Sequence, residues 1–206
     1  MEGIVIKCIL FDLDGVLVDA CDWHYEALNA ALISSGYNPI SRTDHIEKFN
    51  GLPTKVKLSM LDIPESKLAK INQLKQKHTI DIITNTATVM QEKIELHEYL
   101  KSKNIKIGCV TNSIKETTEH MLKYTGQFKY MDIIITNEDV QKNKPYPDCY
   151  NLAIHQLKIN PENVMCVEDS EKGIQAARSS LAGHLFVVKD THDVNIHNIV
   201  KAMEDI

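Results

Sequence analysis

Four short apolar runs, each leading into a polar cluster, constrain the fold of this chain more than any other feature. They are Cys8-Ile9-Leu10-Phe11, Ile107-Gly108-Cys109-Val110, Ile133-Ile134-Ile135 and Val164-Met165-Cys166-Val167. A fifth, Leu185-Phe186-Val187-Val188, has the same character. All are continuous rather than alternating and rich in β-branched residues. Strands read this way when a parallel sheet is covered by helices on both faces. Between the runs lie stretches with helical spacing: Ile94, Leu96, Tyr99 and Leu100, then Met121, Leu122 and Tyr124, then Tyr150, Leu152, Ile154 and Leu157. The alternation predicts an α/β fold with a doubly wound, Rossmann-like parallel sheet.

Residues 16–85 break the alternation. They read as helices over Trp23 to Ile33, Thr54 to Leu61 and Glu65 to about Lys77, punctuated by Gly36, Pro39, Gly51, Pro53 and Pro64. The segment Ile80-Asp81-Ile82-Ile83-Thr84 fits a short strand or a helix end, and helix is the preferred reading. A helical block between the first strand and the next implies an inserted subdomain. The expected domains are therefore an α/β core of residues 1–15 and 86–206 and a helical insertion of residues 16–85.

Composition narrows the function. The chain of 206 residues is 43% hydrophobic and 25% charged, enough to bury a core without disulfides or metal. Lys+Arg 23 against Asp+Glu 28 gives a net charge of −5, which disfavours a general nucleic-acid binder. No run of about 18 apolar residues is present, so no membrane span is expected. The N-terminal segment lacks the pattern of a signal peptide. Five widely spaced cysteines, none in a CxxC pair, point to a reducing cytoplasm rather than to zinc or a disulfide framework.

The chemistry stands where the strands end. Run one leads into Asp12-Leu13-Asp14-Gly15, run two into Thr111-Asn112-Ser113, and run four into Glu168-Asp169-Ser170. Run three leads, after a loop, to Lys144-Pro145-Tyr146-Pro147-Asp148. Ligands of open parallel sheets bind outside the carboxyl ends of the strands, so these four clusters should share one crevice. Carboxylates so crowded need a hard cation among them, and oxygen ligands of this type suit Mg²⁺. With a lysine and a hydroxyl donor added, the set makes a clamp for a phosphoryl group. The calcium-loop reading of the Asp-x-Asp-Gly string fails, because Val16 and Val18 stand at the next ligand positions.

The strings FDLDGVLVD, VTNS, NKPYPD and VEDSEKGIQAA, in this order, resemble the four motifs of the haloacid dehalogenase superfamily. The match is to its capped phosphatase and β-phosphoglucomutase-like branch, and the helical block sits where that branch carries its cap. The resemblance implies Asp12 as the nucleophile that forms an aspartyl-phosphate. It implies Asp14 as the acid that protonates the leaving oxygen and then takes a proton from water, which requires a pKa above that of free aspartate. Thr111 and the backbone N–H of Asn112 would bind phosphoryl oxygens, and Lys144 would neutralise them and orient Asp12. Asp169 and Glu168 would hold Mg²⁺ with the Asp12 carboxylate and the Asp14 carbonyl. His24 and Lys75 fall where the branch places cap residues that meet substrate. Asp19 reads as a helix cap, and Asp148 as a helix N-cap or a loop anchor after the two prolines.

The function implied is a Mg²⁺-dependent phosphomonoester phosphatase acting on a small sugar or polyol phosphate. The alternative is a phosphosugar mutase, which His24 supports. Against it, Gly51-Leu52-Pro53-Thr54 carries threonine where β-phosphoglucomutases carry an arginine. A phospho-receiver domain shares the acids and metal, but the helical block and the Lys-Pro-x-Pro-Asp string argue against it. With only Arg42 and Arg178 in the chain, a small phosphorylated metabolite bearing one phosphate is the expected partner. The expected state is a monomer with no nucleic-acid or membrane partner.

Overall fold

A computed structural model of the chain describes residues 5–49 and 54–206. In chain order the elements are β1 (Cys8–Phe11), α1 (Cys21–Ser34), α2 (Arg42–Asp44), α3 (Thr54–Ser59), α4 (Glu65–Thr86), α5 (Gln91–Ser102) and β2 (Lys106–Val110). There follow α6 (Lys115–Tyr124), β3 (Ile133–Ile135), α7 (Asp148–Leu157), β4 (Val164–Glu168), α8 (Glu171–Arg178), β5 (His184–Val187) and α9 (Ile196–Glu204). The five apolar runs are the five strands, shifted by a residue at some ends. They form one parallel sheet in the order β3-β2-β1-β4-β5.

That order makes the fold doubly wound. Successive residues of a strand face opposite sides of the sheet, so β1 serves two helical layers. Cys8 and Leu10 join Val110, Cys166, Tyr150, Ala153 and Ala176, which brings α7 and α8 onto one side. Phe11 points the other way and meets His97 of α5, ring centroids 6.0 Å apart. All four residues of β1 are buried, which is why its sequence shows no alternation. The chain order reverses between β1 and β4, and such a switch point opens a crevice at the carboxyl ends of the strands.

The chain divides into two compact units, residues 1–19 with 88–206 and residues 20–87. Residues 16–19, read from sequence as part of the insertion, thus belong to the sheet unit. Leu13 and Val18 bind them back: the Leu13 carbonyl accepts from the N–H groups of Val16, Leu17 and Val18, and Gly15 N–H donates to the Val18 carbonyl. Residues 86 and 87, read as core, fall in the helical unit.

The helical unit is built on α1 against α4. Leu28, Ala31 and Leu32 meet Ile40, Phe49, Leu58, Ile63 and Ile71 in its core. Helix α4 runs on to Thr86 as one element, nine residues beyond the expected Lys77 and through Ile80–Thr84. No glycine or proline interrupts it, and Ile71, Lys75, Thr79 and Ile83 recur every four residues on its buried side. Two capping expectations are corrected. The residue before α1 is Ala20, so Asp19 stands one residue outside the N-cap position. Asp148 is the first residue of α7, behind Pro147, and its charge meets the helix dipole instead. Gly51, Leu52 and Pro53, which precede Thr54 in the string that differs from the mutases, lie outside the described residues.

Candidate active site

The carboxyl ends of β1 and β4 bring the acidic residues together. Asp12 directly follows β1, and its N–H continues the ladder to the Val167 carbonyl at 3.0 Å. Glu168 closes β4 and Asp169 follows it. Oxygens of Asp12, Glu168 and Asp169 all lie within 4.8 Å of one another, the group best placed to hold a metal ion among the described residues. Asp12 and Glu168 are buried, Glu168 completely.

One lysine answers this charge. Lys144 Nζ donates to Asp12 Oδ1 at 2.6 Å, to Glu168 Oε1 at 2.6 Å and to the Val110 carbonyl at 2.7 Å. All three of its N–H bonds are thereby committed. The geometry favours its orienting task, while its charge still acts through space on any anion nearby. The Asn112 side chain fixes the lysine backbone from both sides: its Oδ1 accepts from Lys144 N–H at 3.0 Å and its Nδ2 donates to the Lys144 carbonyl at 3.1 Å. The sequence suggested only a backbone contribution from Asn112. Thr111 is buried at the end of β2, and its Oγ1 accepts from Ser113 N–H at 3.1 Å.

Three groups escaped the sequence reading. Tyr150, read as an apolar helix residue, donates its hydroxyl to Glu168 Oε1 at 2.6 Å and places its ring 4.9 Å from Lys144 Nζ. Ser113 donates to Asp14 Oδ2 at 2.8 Å. Gly173, in the first turn of α8, lies so close to the Glu168 carboxylate that a Cβ there would fall 2.0 Å from Oε2. Ser113 and Gly173 stand inside the motif strings quoted above, but nothing local assigns either its carboxylate partner, and Tyr150 reads only as a helix position. Gly15 is different: it follows the two acids in sequence, and its φ of +87° is one that side chains rarely adopt.

Electrostatics follow from burial. Desolvation pushes the Asp12 carboxyl up, helped by Glu168 and Asp14 and opposed by Lys144. Burial lowers Lys144, but the pull of Asp12 and Glu168 outweighs it and holds the ammonium charged. Burial, with repulsion from Glu168, raises Asp169 to about 6. Its Oδ1 is buried with no hydrogen-bond partner. An all-oxygen donor set, excess negative charge and an orphaned carboxylate oxygen are what a hard divalent cation requires, so the residues fit Mg²⁺.

Of the two residues expected from the insertion, Lys75 is not a solvated lysine. It is buried on α4, and its Nζ lies 3.1 Å from His24 Nδ1 on α1. An ammonium only donates, so His24 accepts on Nδ1 and carries its proton on Nε2.

The family model of the haloacid dehalogenase-like hydrolases matches residues 9–187. The chain belongs to this family. It is 29% identical to the pyrophosphatase PpaX of Oceanobacillus iheyensis, over 98% of this chain and 94% of that one. It is 27% identical to a phosphorylated carbohydrates phosphatase of Thermotoga maritima, over 92% and 88% of the two chains. Its fold is similar to that of β-phosphoglucomutase from Clostridium difficile, with a TM-score of 0.77, 22% identity and 98% of each chain covered. No helix among the described residues of this hydrolase is long and apolar enough to cross a membrane.

Proposed function

We propose that this phosphoric monoester hydrolase is a Mg²⁺-dependent phosphatase of a small sugar or polyol phosphate, working through an aspartyl-phosphate. The observation that carries the reading is the buried cluster of Asp12, Glu168 and Asp169 with Lys144, gathered at the switch point of the sheet. Asp12 is the nucleophile. Lys144 holds one of its oxygens at 2.6 Å, which leaves the other to attack phosphorus. Asp14 gives a proton to the departing oxygen and then takes one from the water that attacks the aspartyl-phosphate, releasing phosphate and restoring Asp12. Thr111 and the backbone N–H of Asn112 receive the phosphoryl oxygens. Asp12, Asp169, Glu168 and the Asp14 carbonyl would hold Mg²⁺, which supplies positive charge against the phosphoryl oxygens. The helical unit, with His24 and Lys75, acts as the cap that excludes water and selects the leaving group.

The substrate carries one phosphate. Arginine, the usual bidentate partner of a second phosphate, is scarce: of the two in the chain, Arg42 is paired with Asp22 and lies over the Tyr25 ring at 5.0 Å. The phosphatase reading stands ahead of the mutase because Thr54 replaces the expected arginine and the two relatives above are named for hydrolytic activities. The unpaired state of all five cysteines supports a reducing, cytoplasmic setting.

The decisive experiment measures phosphate release from a panel of sugar, polyol and nucleoside monophosphates, with and without Mg²⁺, for wild type and Asp12→Asn. Release that needs both Mg²⁺ and Asp12 is expected. Absence of release from every compound would overturn the reading, and an isomerised sugar phosphate without net release would put the mutase in its place.

A further inference from the structure

Behind the acid turn lies a buried amide that this mechanism does not use. Gln127, in the turn after α6, is fully buried. Its Nε2 donates to the Leu17 carbonyl at 3.1 Å and to Thr125 Oγ1 at 3.0 Å. Its Oε1 lies 3.0 Å from Nε2 of His97 on α5. An amide oxygen only accepts, so His97 carries a proton on Nε2. Burial pushes this histidine down to about 4, which keeps the ring neutral. Every hydrogen-bonding atom of the Gln127 amide is thus committed inside the protein.

Both ends of this relay bear on the catalytic loop. The His97 ring stands edge-on to Phe11, the residue before Asp12, at an interplanar angle of 74°. Leu17 belongs to the turn that carries Asp14, closed by three N–H bonds to the Leu13 carbonyl and by Gly15 N–H to the Val18 carbonyl at 2.8 Å. The same stretch also grips the chain on its return from the helical unit. The Thr125 carbonyl accepts from Met90 N–H at 3.1 Å, and Met90 Sδ lies 3.8 Å from Gln127 Nε2. Gln127 and Thr125 therefore hold the main chain just before residue 20 and just after residue 87, where the helical unit departs and returns.

We propose that Gln127 is a positioning residue for Asp14, fixing through the Leu17 carbonyl the turn that presents the acid to the leaving oxygen. The inference rests on Asp14 being the acid and base of the reaction. A carboxyl on a short turn transfers its proton only from a narrow range of positions, and displacement by an ångström is costly. An amide locked at both ends in the interior is a rigid way to hold such a turn. It anchors the main chain rather than the carboxyl itself, which leaves the Asp14 side chain able to serve both half-reactions.

The test compares kcat/KM for two substrates. With 4-nitrophenyl phosphate the leaving group departs without a proton. With the sugar or polyol phosphate turned over fastest, the departing alkoxide needs one. Gln127→Met keeps the volume and removes both donors. It is expected to lower kcat/KM for the alkyl substrate about tenfold to a hundredfold, and for 4-nitrophenyl phosphate by a small factor. Equal losses on both substrates, or none, would overturn the proposal. Thr125→Val leaves Gln127 in place but removes the hydroxyl that orients its amide. It is expected to move the ratio of the two kcat/KM values in the same direction by less, and it carries the test if Gln127→Met does not fold; an unmoved ratio then overturns the proposal. Asp14→Asn is the reference. If that variant loses equally on both substrates, the acid–base reading itself fails, and the positioning role of Gln127 with it.

Discussion

The Tyr150 hydroxyl and the Lys144 ammonium share one acceptor, Glu168 Oε1, each at 2.6 Å. A carboxylate that is completely buried needs such partners, because an unmet charge in the interior is expensive. The tyrosine thereby steadies the lysine that steadies Asp12. Tyr150→Phe is expected to destabilise the protein by about 1–3 kcal/mol, the cost of an unmet hydrogen bond at a buried acceptor. It should also lower kcat several-fold through a displaced Lys144. Urea denaturation and steady-state kinetics check both; unchanged stability would show that Glu168 does not depend on the hydroxyl.

Gly15 tolerates no side chain for two separate reasons. Its φ is +87°, and a Cβ would fall 2.0 Å from Asp169 Oδ2. Gly15→Ala must therefore move either the turn that carries Asp14 or the Asp169 carboxylate. The expected outcome is a fall in kcat/KM of about a hundredfold, together with weaker activation by Mg²⁺ in a metal titration. A variant that kept full activity would mean that neither position matters to the reaction.

The acidic cluster makes the metal-free protein sensitive to pH. Asp169 rises from 3.8 to about 6 on folding, so the folded state binds the proton more tightly than the unfolded chain. The stability that Asp169 contributes therefore falls as pH rises from about 4 to 6, and Asp12, also raised by burial, acts in the same direction. Thermal unfolding in a chelator should show this decline. Mg²⁺ should raise Tm above pH 6 and do so progressively less below it, because protons compete for the same oxygens. A Tm that rose with pH across this window in the chelator would contradict the burial argument.

Lys93 offers the opposite case, a buried lysine bonded to main-chain carbonyls rather than to carboxylates. Its Nζ donates to the carbonyls of Thr191 at 2.5 Å and Val194 at 2.6 Å, tying α5 to the segment before α9. Burial lowers its pKa, and the two carbonyls are what keep it in place. Lys93→Met preserves the stem and strands both acceptors. A loss of about 1–3 kcal/mol in urea denaturation, with kcat unchanged, is expected. A large change in kcat would contradict a purely structural role for this lysine.

The sheet was legible in the sequence because its signals are local. Continuous runs such as Cys8 to Phe11 report burial on both faces, and the polar residues that follow them report which end of the sheet is open. Asp12 and Asp14, two residues apart after a strand, could be singled out for the same reason. The boundaries of the insertion were less legible, since Val16 to Asp19 look like any apolar-polar stretch until the Leu13 carbonyl is seen to hold them. Nothing in the run from Lys77 to Thr86 stops a helix, in keeping with the preferred helical reading of Ile80–Thr84, and the unbroken burial pattern joins that stretch to the helix that begins at Glu65.

What tertiary structure alone decided is the set of contacts that cross the sheet and the loops. The resemblance implied two tasks for Lys144, neutralising phosphoryl oxygens and orienting Asp12. Its three donors are taken by Asp12, Glu168 and Val110, and the part played by Glu168 and Val110 came only from the packed fold. Tyr150, Gly173 and Ser113 stand in a periodic stretch or a motif string, and Gln127 in neither, but none of these local signals names the partner, which stands from 5 to 110 residues away. Local sequence sets backbone propensity and burial, and those two determine which strands form and which ends they expose. Which buried polar atom finds which partner depends on where chain segments distant in sequence are brought to rest, and only the packed fold decides that.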